Sequence, residues 1–189
     1  MGTLSKTIIL FGLKSSNKTA HGQRLAKQFE MPFYDTDYVI QKMTGTSPRD
    51  IYIDKGVAAF MQAEEAACRK IAEVSKDKNV IISTGGDICN NAPALTALRD
   101  KGDFYLLKTI PKDSVDLIMK NVQEPQPKFF TNIPFYIVGK NPESMEEIEK
   151  ILLDMFTDRQ RTYEAIADKV IEVLGPSQED NYNILLENL

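Results

Sequence analysis

The sequence predicts an α/β fold in which helices pack on both faces of a parallel β-sheet. Three observations carry that expectation. "KTIILFG" (6–12) is an apolar, β-branched run that stops at a glycine, the pattern of a strand buried on both sides. "NKTAHGQRLAKQF" (17–29) follows it closely with helical spacing. Strand-like and helix-like stretches then alternate to the C-terminus, as they do where helices carry the chain between parallel strands.

Each element has its own justification. In 17–29, Ala20, Leu25, Ala26 and Phe29 fall on related helix faces. "MPFYDTD" (31–37) reads as a second short strand, and "YVIQKMTG" (38–45) as a short helix closed by Gly45. "SPRDIYIDKG" (47–56) starts with the cap-like pair Ser47 and Pro48 and ends at Gly56. Residues 57–77 form a long amphipathic pattern, and "NVIISTGGD" (79–87) is a strand running into a double glycine. A helix at 92–102, a strand at 103–109 and a helix at 112–121 continue the alternation. The proline-punctuated stretch 122–143 has no clear period and reads as a mobile loop or lid. A long helix (144–167), a last strand (168–175) and a short terminal helix (177–189) complete the chain.

A length of 189 residues suits one domain with a substantial core. Hydrophobic residues make up 42% and charged residues 26%, the balance of an ordinary globular protein. The net charge of −4 gives no electrostatic reason to expect nucleic acid or an anionic membrane as partner. An anionic ligand therefore needs a local positive site. Cys68 and Cys89 lack a CxxC partner and read as free buried thiols of a reducing compartment. The apolar run near the N-terminus is too short for a signal peptide or a membrane span, and Lys6 stands where an acylation signal in "MGTLSK" would need Ser or Thr. A cytoplasmic protein is expected, and a monomer.

The chemistry begins at "GLKSSNKT" (12–19), which sits between the first strand and the first helix. A polyphosphate loop needs inward main-chain N–H groups at a helix N-terminus, a lysine for charge and a hydroxyl for magnesium. Gly12, Leu13, Lys14, Ser15, Ser16, Asn17, Lys18 and Thr19 supply that pattern with one departure, Asn17 in place of glycine. Asparagine is among the non-glycine residues that enter the left-handed region most readily, so the loop shape can survive. The competing reading is an ordinary strand-to-helix turn capped by Asn17. "DTD" (35–37) adds two carboxylates at a strand end, where alternate residues point different ways. Taken alone, that pair reads as a solvated turn with Asp37 as a helix N-cap; after the second strand of a phosphate-loop protein, a role at the site is favoured.

With this loop, "DTD" at 35–37 and "STGGD" at 83–87, the chain resembles shikimate kinase over about residues 6–120 and again at 159–173. The resemblance implies a three-layer α/β/α small-molecule kinase fold around a central five-stranded parallel sheet. It implies transfer of the γ-phosphoryl group of ATP to the 3-hydroxyl of shikimate with Mg²⁺. On that pattern Lys18 holds the β- and γ-phosphates, Thr19 ligates magnesium, and Asp35 orients magnesium-bound water. Asp37 binds the ring hydroxyls and assists the attacking one. Gly85 and Gly86 bring backbone close to the substrate, and Arg159 grips its carboxylate.

Several ligand-facing positions depart from the family pattern. Met61 stands in place of an arginine that also binds the carboxylate, and Asp87 in place of a third glycine. An anion there is unfavourable beside an acid substrate unless Asp87 points away or binds a cation. Glu124 aligns with a lid arginine, whose loss costs on the order of 10³–10⁵ in rate. Met119 or Lys120 falls in the adenine-stacking region, and Lys120 and Lys128 are candidate substitute charges without arginine's fork geometry. Weak shikimate kinase activity is the leading expectation. Two other readings stay open: a kinase for another small hydroxylated substrate, and a non-catalytic descendant that binds nucleotide or a protein partner. His21, the only histidine, is expected to face away from the phosphates in a surface or core role.

Overall fold

The computed structural model describes residues 6–174 and 177–189. The acylation-like start and Gly175, which closes the expected last strand, lie outside the described residues. Five strands form one parallel sheet: β1 (Thr7–Phe11), β2 (Phe33–Asp35), β3 (Ile81–Ser83), β4 (Gly102–Lys108) and β7 (Lys169–Glu172), in the order β2-β3-β1-β4-β7. This is the five-stranded parallel sheet expected. A two-stranded antiparallel ribbon, β5 (Gln123–Gln126) with β6 (Phe129–Thr131), stands apart from it.

Strand alternation sorts the core onto two faces. Ile9, Phe11, Ile82, Phe104 and Leu106 point to one side, against Cys68 and Ile71 of α3 (Pro48–Val74), Leu98 of α4 (Ala92–Arg99), and Phe156 and Tyr163 of α7 (Met145–Ile166). Ile8, Leu10, Ile81, Tyr105 and Leu107 point to the other, against Leu25 and Ala26 of α1 (Lys18–Gln28) and Tyr182 and Leu185 of α8 (Gln178–Glu187). Every residue of β1 is buried, which accounts for its unbroken apolar run. His21 belongs to this second face: it is buried, stacked on Tyr182 with centroids 6.0 Å apart. Arg24 covers the other side of the interface, 3.7 Å from the Tyr182 ring centroid and paired with Glu179.

Helix ends follow the sequence cues. The Ser47 hydroxyl accepts from the Asp50 N–H with Pro48 at the first turn, and Ser144 and Ser177 cap α7 and α8 in the same way. Gly45 ends α2 (Thr36–Thr44) at φ 72°. Four expectations need correction. Residues 47–56 and 57–77 join as α3, with the break confined to Gly56 at φ 82° and ψ 175°. The second strand is Phe33–Asp35, not 31–37: Thr36 and Asp37 already lie in the first turn of α2, and Asp35, not Asp37, is its N-cap. The strand expected over 79–87 is only Ile81–Ser83, and a 3-10 turn at Ile88–Asn90 follows the glycines. The aperiodic stretch 122–143 contains the β5–β6 ribbon and a helical turn, α6 (Phe135–Val138), which follows α5 (Pro111–Met119). Among the described residues, no helix is long and apolar enough to cross a membrane.

Candidate active site

The C-terminal ends of β1, β2 and β3 lie side by side, since Asp35 and Leu10 both pair with Ser83. In an open α/β sheet this edge is where ligands bind. Three loops open there: Gly12–Asn17 after β1, the β2–α2 junction, and Thr84–Asp87 after β3.

The first loop has the shape its sequence suggested. Gly12 sits at φ 139°, and a Cβ there would lie 2.8 Å from the Leu107 carbonyl oxygen, so only glycine fits. Asn17 is left-handed at φ 55° and ψ 27°. Its side chain makes no capping bond, so the reading of Asn17 as an ordinary side-chain cap is set aside. Ser15 is also at positive φ, 83°, and its hydroxyl donates to Ser114 Oγ on α5 at 2.7 Å. The sequence held no cue for that, because serine has no special tolerance for this region. Lys18 Nζ donates to the Gly12 and Leu13 carbonyls at 3.0 and 2.8 Å. Burial pushes the Lys18 ammonium down to about 8, while Asp37 and Asp35 oppose the shift. The Ser83 hydroxyl donates to the Lys18 carbonyl at 2.9 Å and ties the start of α1 to the sheet.

Beside the loop, Thr19 Oγ1 donates to Asp35 Oδ2 at 2.7 Å, while Asp35 Oδ1 accepts from the Tyr38 N–H. A hydroxyl and a carboxylate so placed next to a phosphate loop suit Mg²⁺, a hard cation that takes few protein oxygens and completes its shell with phosphate and water. Among the described residues no three acidic, histidine or cysteine side chains converge as a metal cage. Asp37 is open to solvent on one side yet crowded by protein. Loss of hydration, then the Asp35 charge, pushes its carboxyl up to about 6, against the pull of Lys18 and Lys14.

The glycines after β3 make room for these groups. A Cβ on Gly85 would lie 2.9 Å from Asp37 Oδ1 and 3.2 Å from Glu64 Oε1, and one on Gly86 would lie 3.2 Å from the Lys14 nitrogen. Glu64 is a site residue that the sequence reasoning missed. It is fully buried on α3; Oε2 accepts from Asn91 Nδ2 at 2.9 Å, and Oε1 accepts no hydrogen bond. Burial pushes its carboxyl up to about 7, with Asp37 and Asp87 adding to the rise and the Asn91 bond opposing it. The signal was present: Phe60, Glu64, Ala67, Cys68 and Ile71 share one helical face, and all are buried.

Arg159 reaches the same floor from α7, but not as a free cation. Its side chain is 8% exposed, its Nη2 lies 2.8 Å from Asp87 Oδ1, and its guanidinium lies over the Tyr136 ring. Asp87 therefore does bind a cation, and its partner is Arg159, the residue expected to grip a substrate carboxylate. Glu124 and Lys128 make ribbon contacts, Glu124 Oε1 accepting from the Lys128 N–H and Lys128 Nζ pairing with Glu143. Met119 packs against the core. The thiols are buried and raised, Cys89 to about 11, and carry no nucleophile.

The shikimate kinase family model matches residues 14–189. A shikimate kinase of Caldanaerobacter subterraneus subsp. tengcongensis is 29% identical over 93% of this chain and 91% of its own. One of Aquifex aeolicus is 30% identical over 78% and 95%. Among solved structures, shikimate kinase from Acinetobacter baumannii in complex with shikimate superposes with a TM-score of 0.74 at 24% identity, covering 97% of this chain and 92% of that one. Sheet order, phosphate loop and these matches agree: the chain belongs to the shikimate kinase family.

Proposed function

We propose that the chain transfers the γ-phosphoryl group of ATP to the 3-hydroxyl of shikimate. The observation that carries this reading is the phosphate loop: Asn17 takes the left-handed conformation, so Gly12–Thr19 keeps its shape with Lys18 at its centre. Phosphoryl transfer asks mainly for positioning and charge stabilisation. The loop N–H groups and the start of α1 bind the phosphates, and Lys18 exchanges its carbonyl partners for phosphate oxygens. Thr19 and Asp35 are the oxygens that would hold Mg²⁺, whose chemistry is to neutralise charge across the phosphate oxygens. Asp37 accepts the proton of the attacking hydroxyl; a carboxyl near 6 is ionised at neutral pH yet basic enough to take a proton. Gly85 and Gly86 keep the floor open for the ring, and Arg159 faces the acceptor. The reading includes one domain with 122–143 as its lid, a monomer, and a cytoplasmic setting.

The test is ADP release at high enzyme concentration. Release should require both shikimate and Mg²⁺ and disappear in a Lys18→Ala protein shown by melting to be folded. Absence of any shikimate-dependent release would defeat the proposal. One observation favours a second, binding-only reading: Glu124, which stands where a lid arginine is expected, accepts from the Lys128 N–H, and the Lys128 ammonium pairs with Glu143. Calorimetry with ATP-Mg²⁺ and with shikimate, showing binding without turnover, would select it.

A further inference from the structure

We propose that Asp87 occupies, from within the chain, the place of an acceptor carboxylate on Arg159, so that the pocket selects its acceptor by hydroxyl groups and not by an acid group. The inference rests on the reading that Arg159 faces the acceptor.

Three observations carry it. First, the Arg159 guanidinium is almost wholly buried, and a buried cation needs a counter-charge. Asp87 supplies one at 2.8 Å, and Tyr136 covers the guanidinium. Second, Asp87 is held in place. It opens the 3-10 turn Ile88–Asn90, and its Oδ1 also accepts from Asn90 Nδ2 at 2.5 Å. It stays 28% exposed, so the pair is open to solvent. Third, the side chains that flank Gly85 are acidic, and the nearby cations, Lys14 and Lys18, belong to the phosphate loop. Glu64 and Asp37 flank Gly85, and Met61 contributes only a backbone carbonyl, to Asn91. An acid acceptor must either share Arg159 with Asp87, placing two carboxylates on one guanidinium, or displace Asp87 from it. A ring bearing hydroxyls alone meets neither obstacle.

The probes are shikimate and its uncharged methyl ester, used with the wild-type chain and with Asp87→Asn, which keeps the size of the side chain and an acceptor for Asn90. Asp87→Gly is the second variant, should Asp87→Asn fold poorly. Calorimetric affinity is measured on all of them, and ADP release separately. In the wild type the two probes should bind within about threefold of each other. Releasing Arg159 should tighten shikimate by about tenfold or more, the worth of one charge-assisted bond, and leave the ester unchanged. A wild type that prefers the acid by more than about tenfold overturns the proposal, and so do variants that bind shikimate no tighter than the wild type. Tightened binding without ADP release from any protein would sustain Asp87 as the internal occupant while removing the phosphotransfer reading. ADP release with a strong wild-type preference for the acid would do the reverse.

Discussion

Replacing Glu64 by glutamine should stabilise the folded protein, and only at high pH. Glu64 is fully buried, with one oxygen satisfied by Asn91 and the other accepting nothing. Its carboxyl rises from 4.5 to about 7, led by burial, which corresponds to roughly 3 kcal/mol between the two protonation states. The sign follows from linkage: the folded protein binds this proton more tightly than the unfolded chain does. The group's contribution is therefore fully present below 4.5 and is lost as pH rises through 7. Glutamine is neutral throughout, keeps an oxygen for Asn91, and offers its amide N–H groups toward Asp37. At pH 8 the variant should gain on the order of 1–3 kcal/mol, part of the full value being lost to relaxation of the site in the wild type. For a chain of this length that is a rise in Tm of about 3–10 °C. At pH 4.5 the two proteins should melt together. Thermal melts across pH 4.5–8 make the measurement. A variant that is less stable at pH 8, or equally shifted at both ends, would refute the account of Glu64 as a buried carboxylate without a counter-charge.

Asn17→Gly should melt within about 2 °C of the wild type and bind ATP at least as well. Asn17→Val, a β-branched residue forced to φ 55°, should lose about 1–2 kcal/mol, or about 2–8 °C, and raise KM for ATP; equal melts and equal KM values for Asn17→Val would contradict the loop argument. If Asp37 is the proton acceptor, kcat/KM should rise with pH through about 6 and then level, and Asp37→Asn should remove both the rise and most of the rate; a flat profile in the wild type would exclude that role. Chelating Mg²⁺ should abolish ADP release, and restoring it should recover the rate in the wild type but far less in Thr19→Val, read at saturating ATP. Full recovery in Thr19→Val would discount the hydroxyl as a ligand.

What could be read from the sequence was what neighbouring residues decide among themselves. Asn17 was legible because tolerance for the left-handed region is a property of asparagine itself, and Gly12 because freedom to adopt a φ of 139° is a property of glycine. The cap at Ser47 was legible for the same local reason. Ser15 was not, since its positive φ is accompanied by a bond to Ser114, 99 residues away. The Asp87–Arg159 pair is equally remote, 72 positions apart, and no spacing rule joins the two. Glu64 lies between these cases. A glutamate ordinarily faces solvent, while its position relative to Phe60, Cys68 and Ile71 places it inward, and packing overrides the preference of the charge.

The two halves of the site have been altered in different ways. On the nucleotide side a residue type changed but the backbone shape stayed: Asn17 does what glycine would do, and Lys18 remains central. At Gly85 and Gly86, proposed to face the acceptor, the backbone is open but the neighbouring charges depart from the family pattern at Asp87 and Met61: Asp87 pairs with Arg159, and Glu64 is buried without a cation. The halves touch where Gly86 approaches the Lys14 backbone, too closely for a Cβ without movement, so the acceptor floor helps to shape the phosphate loop. A backbone coupling of this kind explains how the loop can hold its form while the acceptor charges around it vary: the constraint on Gly86 is steric, and charge can change at Asp87 and Met61 without disturbing it.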